Sequence, residues 1–251
     1  MTKKNTYDIV RQMKKPAPQE KPLYPMRINK YLAHKNVGTR RSADELIAKK
    51  KVFINGKVAK LGDKVKEGDD VEVKQSGILR EHIYYAYNKP VGVTTHSPLA
   101  GEKDILQSAN LHGVFPVGRL DKNSSGLIIL TDDGRITDKL LSPEYAHEKE
   151  YLVGVKNNLR PSFKEYMEKG IDLGDYKTQP CKVKIVGEKS FSITLTEGKK
   201  HQIRRMCEYM HNDVTHLKRV RIMNIKLGNL APNGHRKIEG KELEQFKNLL
   251  Q

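Results

Sequence analysis

Short runs rich in β-branched and aromatic residues recur from about residue 80 to the end of the chain, separated by polar turns. Such runs favour β-strands. Because they outnumber the helical patterns between them, we expect a mixed, mainly antiparallel α+β domain over residues 80–251. The predicted strands are Ile83–Tyr87, Leu127–Thr131, Tyr151–Val155, Val183–Val186, Phe191–Thr196, Val214–Leu217 and Ile222–Leu227, and the predicted helices lie near Arg135–Leu141, Ser162–Lys169, His201–Met210 and Lys241–Leu250.

A second, smaller folded unit is predicted over residues 26–75. Apolar residues at helical spacing indicate two helices, the second starting near Thr39 or Ser42, and Ser42 and Glu45 are candidates for a capping box. The dipeptide Asn55-Gly56 follows an apolar run and is a strong hairpin signal. We therefore expect two helices and a small sheet.

The first 25 residues differ from both predicted units. They are rich in lysine, contain Pro16, Pro18, Pro22 and Pro25, and lack apolar periodicity. This composition predicts a flexible basic arm. A transit peptide is disfavoured, because such peptides are rich in Arg and Ser and this segment has a single Arg and no Ser.

The charge balance indicates a polyanionic partner. The chain has 47 Lys and Arg against 30 Asp and Glu, a formal net charge of +17. Nucleic acid is the usual reason for such an excess, although a highly charged surface can also serve solubility alone. A membrane partner is disfavoured, because the chain has neither a long apolar run nor a basic amphipathic helix with a bulky apolar face.

The two cysteines, Cys181 and Cys207, are far apart and form no CxxC pair. They indicate neither a disulfide framework nor a zinc site, so no metal is expected. The chain also lacks an apolar stretch of the signal-peptide kind. We therefore expect a cytoplasmic protein.

In the smaller unit, Arg40 and Arg41 fall in the first turn of the second predicted helix, where the helix dipole disfavours cations. Two guanidinium groups beside free backbone N–H groups could clamp an RNA phosphate, and Lys30 on the preceding helix would extend the clamp. The alternative is a solvated pair of charges without a ligand.

In the larger unit, the polar segment from Val117 to Gly126 runs directly into the apolar strand Leu127–Thr131. A polar loop that leads into a buried strand can hold a carboxylate rigidly at the floor of a cleft. Asp121 is the acidic residue of this loop. The residues alone leave open whether it is catalytic or a turn-forming Asp that bonds its own backbone.

The sequence GRLDKNSSGLIILTDDG resembles the catalytic motif of the RsuA/RluB/RluE/RluF family of rRNA pseudouridine synthases. RINKYLAHKNVGTRRSADELI and VFINGKVA resemble the S4 RNA-binding module, and NKPVGVTT, HEKEYLVGV and EGKKHQIRRMCEYM resemble later family segments in the same order. HEKEYLV and LKRVRIMNIKL are most similar to the RluF branch, which implies a 23S rRNA substrate. Thr39, where the S4 pattern usually has Ser, and Asn123-Ser124-Ser125 depart from the usual motifs.

The resemblance implies roles for individual residues. Asp121 would be the required catalytic carboxylate, Arg204 its salt-bridge partner, and Tyr151 the ring that stacks on the flipped uracil. The residues alone equally allow Arg204 to be a phosphate contact and Tyr151 to be an ordinary strand aromatic. The resemblance also implies that Arg119 fills the vacated base stack. Lys89 and Lys122 could line the rim of the cleft, and Arg205, which points in a different direction from Arg204 on the helix, is the better candidate to face the RNA.

The implied reaction breaks the N1–C1′ bond of uridine, turns the uracil and joins C5 to C1′, so no cofactor is expected. The carboxylate could attack C1′, attack the base, or remove the C2′ proton, and the sequence does not choose among these routes. The uridine could also lie in 16S rRNA or tRNA. A non-catalytic RNA-binding or assembly factor is the rival class, and a monomer satisfies either interpretation.

Overall fold

The computed structural model describes residues 24–35, 37–74, 82–96, 98 and 100–250. The chain divides into two compact units, Met1–Gln75 and Ser76–Gln251. Most of the predicted basic arm, residues 1–23, lies outside the described residues, as does the segment 75–81 between the predicted domains.

The first unit consists of two short helices and small sheets around one apolar core. Its elements are β1 (Met26–Arg27), α1 (Ile28–His34), α2 (Arg40–Ala48), β2 (Val52–Ile54), β3 (Lys57–Val58), β4 (Lys64–Val65) and β5 (Val71–Val73). Strand β1 pairs with β4, and β2 lies between β3 and β5. The core is built by Ile28, Leu32 and Ile47 from the helices and Val52 and Val65 from the strands. Tyr24, at the end of the predicted arm, packs against this core.

Two local predictions in this unit have different outcomes. Asn55 and Gly56 have φ values of 50° and 73° and connect β2 to β3, so the predicted hairpin turn is confirmed. The capping box predicted between Ser42 and Glu45 is wrong. Because the helix begins at Arg40, Thr39 is the N-cap: its Oγ1 accepts from the Ser42 N–H at 3.1 Å, and Ser42 Oγ accepts from the Thr39 N–H at 2.8 Å.

The second unit is the predicted mixed, mainly antiparallel α+β domain. Its elements are β6 (Tyr84–Lys89), α3 (Ile105–Ala109), β7 (Phe115–Val117), β8 (Ser125–Thr131), α4 (Arg135–Leu141), a 3₁₀ turn (Pro143–Tyr145), β9 (Lys149–Val155), α5 (Phe163–Lys169), β10 (Lys182–Gly187), β11 (Ser190–Leu195), α6 (Gln202–Tyr209), β12 (Val214–Ile222), β13 (Ile225–Lys226), β14 (His235–Lys237) and α7 (Gly240–Leu249). The break predicted after Leu217 is wrong, because β12 runs unbroken to Ile222 and then turns into β13.

The strands of this unit form one nine-stranded sheet in the order β10-β11-β9-β12-β8-β6-β14, with β13 added beside β12 and β7 beside β8. Every pair is antiparallel except the central pair of β8 and β12, which is parallel. Both central strands pair with a neighbouring strand along each edge, and β8 is buried along its whole length. This buried centre positions the loop that precedes β8.

Alternation along β8 separates the two faces of the sheet. Leu127 and Ile129 point to one face, where α4 and α7 cover them. Ile128 points to the other face, into a cluster that contains Tyr87 of β6. The cluster around Tyr151 lies on this second face as well, because strand partners project to the same side of a sheet. Two apolar clusters therefore share one face of the sheet, and between them lies a row of paired residues that contains Lys89 and Arg219.

Candidate functional site

The loop that carries Asp121 is held by its backbone. Thr95 Oγ1 donates to the Leu120 carbonyl oxygen at 2.7 Å and accepts from the Leu120 N–H at 3.1 Å. The Gly92 N–H donates to the Lys122 carbonyl oxygen at 2.9 Å, and the Leu120 side chain packs into the same cluster as Tyr151. The Asp121 side chain itself remains 41% exposed. A fixed backbone thus presents an accessible carboxylate.

Asp121 and Arg204 do not form the predicted ion pair. Arg204 Nη2 donates instead to the Asn123 carbonyl oxygen at 2.9 Å and to Ser124 Oγ at 3.4 Å, and Nη1 donates to the Val214 carbonyl oxygen. These acceptors at the end of the loop need donors, because Ser124 is buried where the chain enters β8. The side chain that lies near Asp121 Oδ1 is that of His201, whose Nε2 is 3.5 Å away. Arg204 therefore anchors the loop that carries Asp121 through the loop backbone.

The sequence predicted Lys89 at the rim of a cleft, and this prediction is wrong. It is fully buried, and its Nζ donates to the carbonyl oxygens of Pro90 at 3.0 Å and Val93 at 2.7 Å. Burial lowers the pKa of Lys89 to about 8, although the nearby Asp121 carboxylate acts to raise it. Because its ammonium is engaged by these carbonyl oxygens inside the protein, Lys89 supports the loops around Asp121.

One row of paired residues crosses the sheet beneath this loop. Lys89 of β6 pairs with Gly126 of β8, Gly126 pairs with Arg219 of β12, and Arg219 pairs with Tyr151 of β9. The side chains of Lys89, Arg219 and Tyr151 therefore lie on one face of the sheet. Gly126 has φ = 106°, and a Cβ on it would lie 2.2 Å from the Arg219 carbonyl oxygen. Only glycine fits where the two parallel strands approach so closely.

Arg219 was not singled out from the sequence. It is only 4% exposed, and its Nε donates to the Leu127 carbonyl oxygen at 2.7 Å. Its Nη2 is enclosed and has no hydrogen-bond partner among the described residues. The alternation of β12 could have identified it. Leu217 and Arg219 occupy successive inward positions, so a cation lies where an apolar residue is expected.

Lys149 lies two residues before Tyr151 on β9 and so faces the same side as Arg219. Burial, and after it the Arg219 charge, lower the pKa of Lys149 from 10.5 to about 8. Its Nζ donates to the His147 carbonyl oxygen at 3.3 Å. A second partly buried cation therefore stands beside Arg219.

The lowered pKa of Lys149 predicts a pH dependence of stability. Between pH 8 and 10.5 the unfolded chain binds more protons at this position than the folded chain, so folded-state stability rises with pH in this window. Lys149→Met removes this contribution, whereas Lys89 titrates in both proteins and cancels. The melting temperature of the wild type relative to Lys149→Met should therefore rise from pH 7.5 to pH 9.5, as measured by thermal unfolding. A constant or falling difference would contradict the burial of this ammonium.

The remaining residues predicted to bind RNA are distributed over both units. Arg119 is exposed beside the loop, and Lys122 is half exposed with its Nζ donating to Glu102. Arg205 is held by Asp175 and lies over the ring of Tyr176, so it is less free to reach a phosphate than predicted. In the first unit, Lys30, Arg40 and Arg41 are all exposed.

The described residues give no support for a metal centre or a membrane span. In those ranges, no group of three or more His, Cys, Asp or Glu side chains could hold a metal ion. Across the same ranges, every helix is too short or too polar to cross a membrane.

Comparison with known proteins shows the family of the chain. A sequence model of the RNA pseudouridylate synthase family matches residues 83–209, and one of the S4 domain matches residues 26–71. Dual-specificity RNA pseudouridine synthase RluF of Salmonella typhi is 40% identical over 233 residues, which cover 90% of this chain and 80% of the relative. Ribosomal large subunit pseudouridine synthase B of Bacillus subtilis is 35% identical over 234 residues, which cover 89% and 96%.

A solved structure, described as the crystal structure of pseudouridylate synthase, aligns with a TM-score of 0.66 at 27% identity and covers 89% of this chain and 99% of that chain. The fold, the loop and these matches define an enzyme that converts uridine in RNA to pseudouridine. Within that class, the chain belongs to the RsuA/RluB/RluE/RluF family with its N-terminal S4 domain, and it is similar to RluF, as the motifs predicted.

Proposed function

We propose that this enzyme modifies a uridine of 23S rRNA and that Asp121 is its catalytic carboxylate. One observation carries the assignment of Asp121: its backbone is fixed on both sides while its side chain stays accessible beside the row that contains Tyr151. A group held in this way can meet a substrate without the entropy cost of ordering a loop. The name of the Bacillus subtilis relative favours a large-subunit RNA, and the term dual-specificity in the name of RluF makes tRNA the candidate for a second substrate.

The reaction requires a transient negative charge on the pyrimidine, which is removed again when the new bond forms. If Asp121 attacks C1′, a C1′–O bond forms while the N1–C1′ pair stays on the base. If it adds to C6, a C6–O bond forms and the electron pair of the C5–C6 double bond moves through C4 onto O4. If it removes the C2′ proton, N1 again leaves with the bonding pair. In each route the carboxylate must start ionised, and the base then carries negative charge.

Tyr151 and Arg204 assist in different ways. The Tyr151 ring is 9% exposed at the edge of its core cluster, where one face can support the turned uracil. Arg204 is a positioning residue, since its guanidinium holds the loop carbonyl of Asn123 and the hydroxyl of Ser124. Loss of either is expected to slow the reaction less than loss of Asp121.

Extruding the uridine from folded RNA costs a few kilocalories per mole, which contacts to phosphates and neighbouring bases must offset. Arg119 is exposed beside Asp121 and can occupy the vacated stack, and Lys122 lies on the same loop. We expect a cytoplasmic monomer, because a single carboxylate and one set of cations suffice for this task.

The S4 unit offers a second set of contacts. Arg40 and Arg41 are exposed in the first turn of α2, where backbone N–H groups also face outward. Replacing both with Ala should weaken RNA affinity and flatten its dependence on salt by about one unit of slope for each phosphate that the variant no longer binds. Titrations of RNA binding over a range of salt concentrations measure this effect. Replacing Lys57 and Lys60 removes the same charge from another exposed part of the unit, and an equal loss of affinity in that control would argue against the clamp.

The choice of substrate is tested with purified enzyme and separate transcripts of 23S rRNA, 16S rRNA and tRNA. Pseudouridines are mapped by selective derivatisation and primer extension after incubation without any added cofactor. A single new mark in 23S rRNA supports the proposal, and a mark in tRNA as well supports a second substrate. Marks confined to 16S rRNA or tRNA would contradict the proposed target.

A further inference from the structure

The guanidinium of Arg219 lacks a partner that its surroundings should supply. A buried donor without an acceptor costs free energy, and a charged donor costs more. Arg219 has one donor, Nε, satisfied by a strand carbonyl, whereas Nη2 is enclosed without an acceptor in the described part of the chain. Nη1 likewise has no hydrogen bond there, and it is not among the fully enclosed atoms. One edge of the guanidinium is thus unsatisfied until something else binds.

The charge around this edge is also unbalanced. Lys149 stands on the same face, and burial, followed by the Arg219 charge, lowers the pKa of Lys149. Neither forms an ion pair within the described residues; Lys149 and Arg219 donate only to the carbonyl oxygens of His147 and Leu127. The nearby row places Arg219 directly between Gly126 and Tyr151. A site with excess positive charge under water-poor conditions favours a ligand that becomes negative.

The pyrimidine of the substrate becomes negative in every route open to Asp121. Breaking the N1–C1′ bond leaves the electron pair on N1, delocalised over O2 and O4, and addition at C6 places it on O4. A guanidinium has only donors, so it can serve a carbonyl oxygen of this anion without exchanging a proton. The charge is neutralised again when C5 bonds to C1′, the C5 proton leaves and N1 gains a proton.

We propose that Arg219 is a further catalytic residue of this enzyme, which donates through Nη1, the nitrogen that is neither bonded nor fully enclosed, to a carbonyl oxygen of the uracil and stabilises the negative charge that the base carries during rearrangement. The interaction strengthens as charge develops, so it lowers the barrier more than it tightens binding. This inference rests on the proposed role of Asp121, because that carboxylate starts the transfer of electrons into the base.

The test compares Arg219→Met and Arg219→Lys with wild type in single-turnover reactions. Two RNAs are used that differ only at the target, which is uridine in one and 5-fluorouridine in the other. Fluorine stabilises negative charge on the ring and blocks the final loss of the C5 proton, but it does not block cleavage of the N1–C1′ bond. The rate is therefore read as consumption of the target nucleoside after digestion of the RNA.

We expect Arg219→Met to lose about 100-fold in rate on uridine, with RNA affinity almost unchanged. The loss should be several-fold smaller on 5-fluorouridine, because the more stable anion needs less help. Arg219→Lys should lie between wild type and Arg219→Met. The ratio of the two rates within one variant does not depend on the fraction that is folded, so a partly unstable variant still gives an answer.

Arg221→Met is the matched control on the same strand. Arg221 pairs with Glu148 and Glu150, and its loss should lower thermal stability while leaving the uridine to 5-fluorouridine ratio unchanged. An equal loss on both nucleosides in Arg219→Met, or a loss confined to RNA affinity, would overturn the proposal in favour of a structural or phosphate-binding role. Wild type and Asp121→Asn, assayed in parallel, report separately on the proposed role of Asp121.

Discussion

Asp121→Asn is expected to bind RNA almost as tightly as the wild type and to form product at least about a thousandfold more slowly. The amide has the shape of the carboxylate, and the loop backbone is held by Thr95 and Gly92, so the loop should keep its conformation. It cannot act as a nucleophile or base, and it places no negative charge beside C1′. Single-turnover assays and binding titrations on the same preparation measure the two effects.

Asp138→Asn is the control for this change, because Asp138 is an exposed residue of α4, which covers the opposite face of the sheet. It should retain the wild-type rate. If Asp121→Asn turned over within tenfold of the wild type, or if it lost RNA binding and activity together, the carboxylate would not have the assigned role.

Gly126→Ala is expected to cause the largest loss of stability of any methyl-sized change near the site. The new Cβ would meet the carbonyl oxygen and amide nitrogen of Arg219 at 2.2 and 2.6 Å, and φ = 106° is a conformation that alanine rarely adopts. Since β8 and β12 are the two central strands, neither can move away without disturbing its other neighbours. Overpacking and backbone strain together should cost about 3 to 5 kcal/mol.

Gly174→Ala separates the two contributions. Gly174 has φ = 89°, but a Cβ there meets nothing within 4 Å, so only the strain of about 1 to 2 kcal/mol remains. Thermal unfolding should show a much larger fall in melting temperature for Gly126→Ala. Equal falls for the two variants would mean that the close approach of β8 and β12 is not as the structure has it.

Local patterns were sufficient to predict much of the architecture. The continuous apolar run from Leu127 marked β8, and Asn55-Gly56 marked the hairpin of the first unit, because each depends on residues adjacent in sequence. The position of Asp121 between a polar turn and a buried strand was likewise visible, although its role required the family motif. The cap of α2 was misplaced by about one turn, since Thr39 and Ser42 are both suited to the N-cap position and the sequence did not choose between them.

The partners of the site residues could not be predicted in the same way. The burial of Lys89 depends on the register of strands that are distant in sequence. The same is true of the position of Arg219 opposite Tyr151. Arg204 was predicted to pair with Asp121, but it donates to the carbonyl oxygen of Asn123 instead. The choice between these two neighbouring acceptors depends on the conformation of the loop, which residue spacing does not encode. Long-range register therefore determines the electrostatics of this site.

Pseudouridine mapping in cells with and without this gene tests the central claim most directly. Total rRNA and tRNA would be mapped from the deletion strain and from the same strain carrying either the wild-type gene or Asp121→Asn at equal protein level. We expect one mark in 23S rRNA to disappear on deletion and to return with the wild-type gene but not with the Asn variant. Marks unchanged by deletion, or restored by Asp121→Asn, would contradict the account.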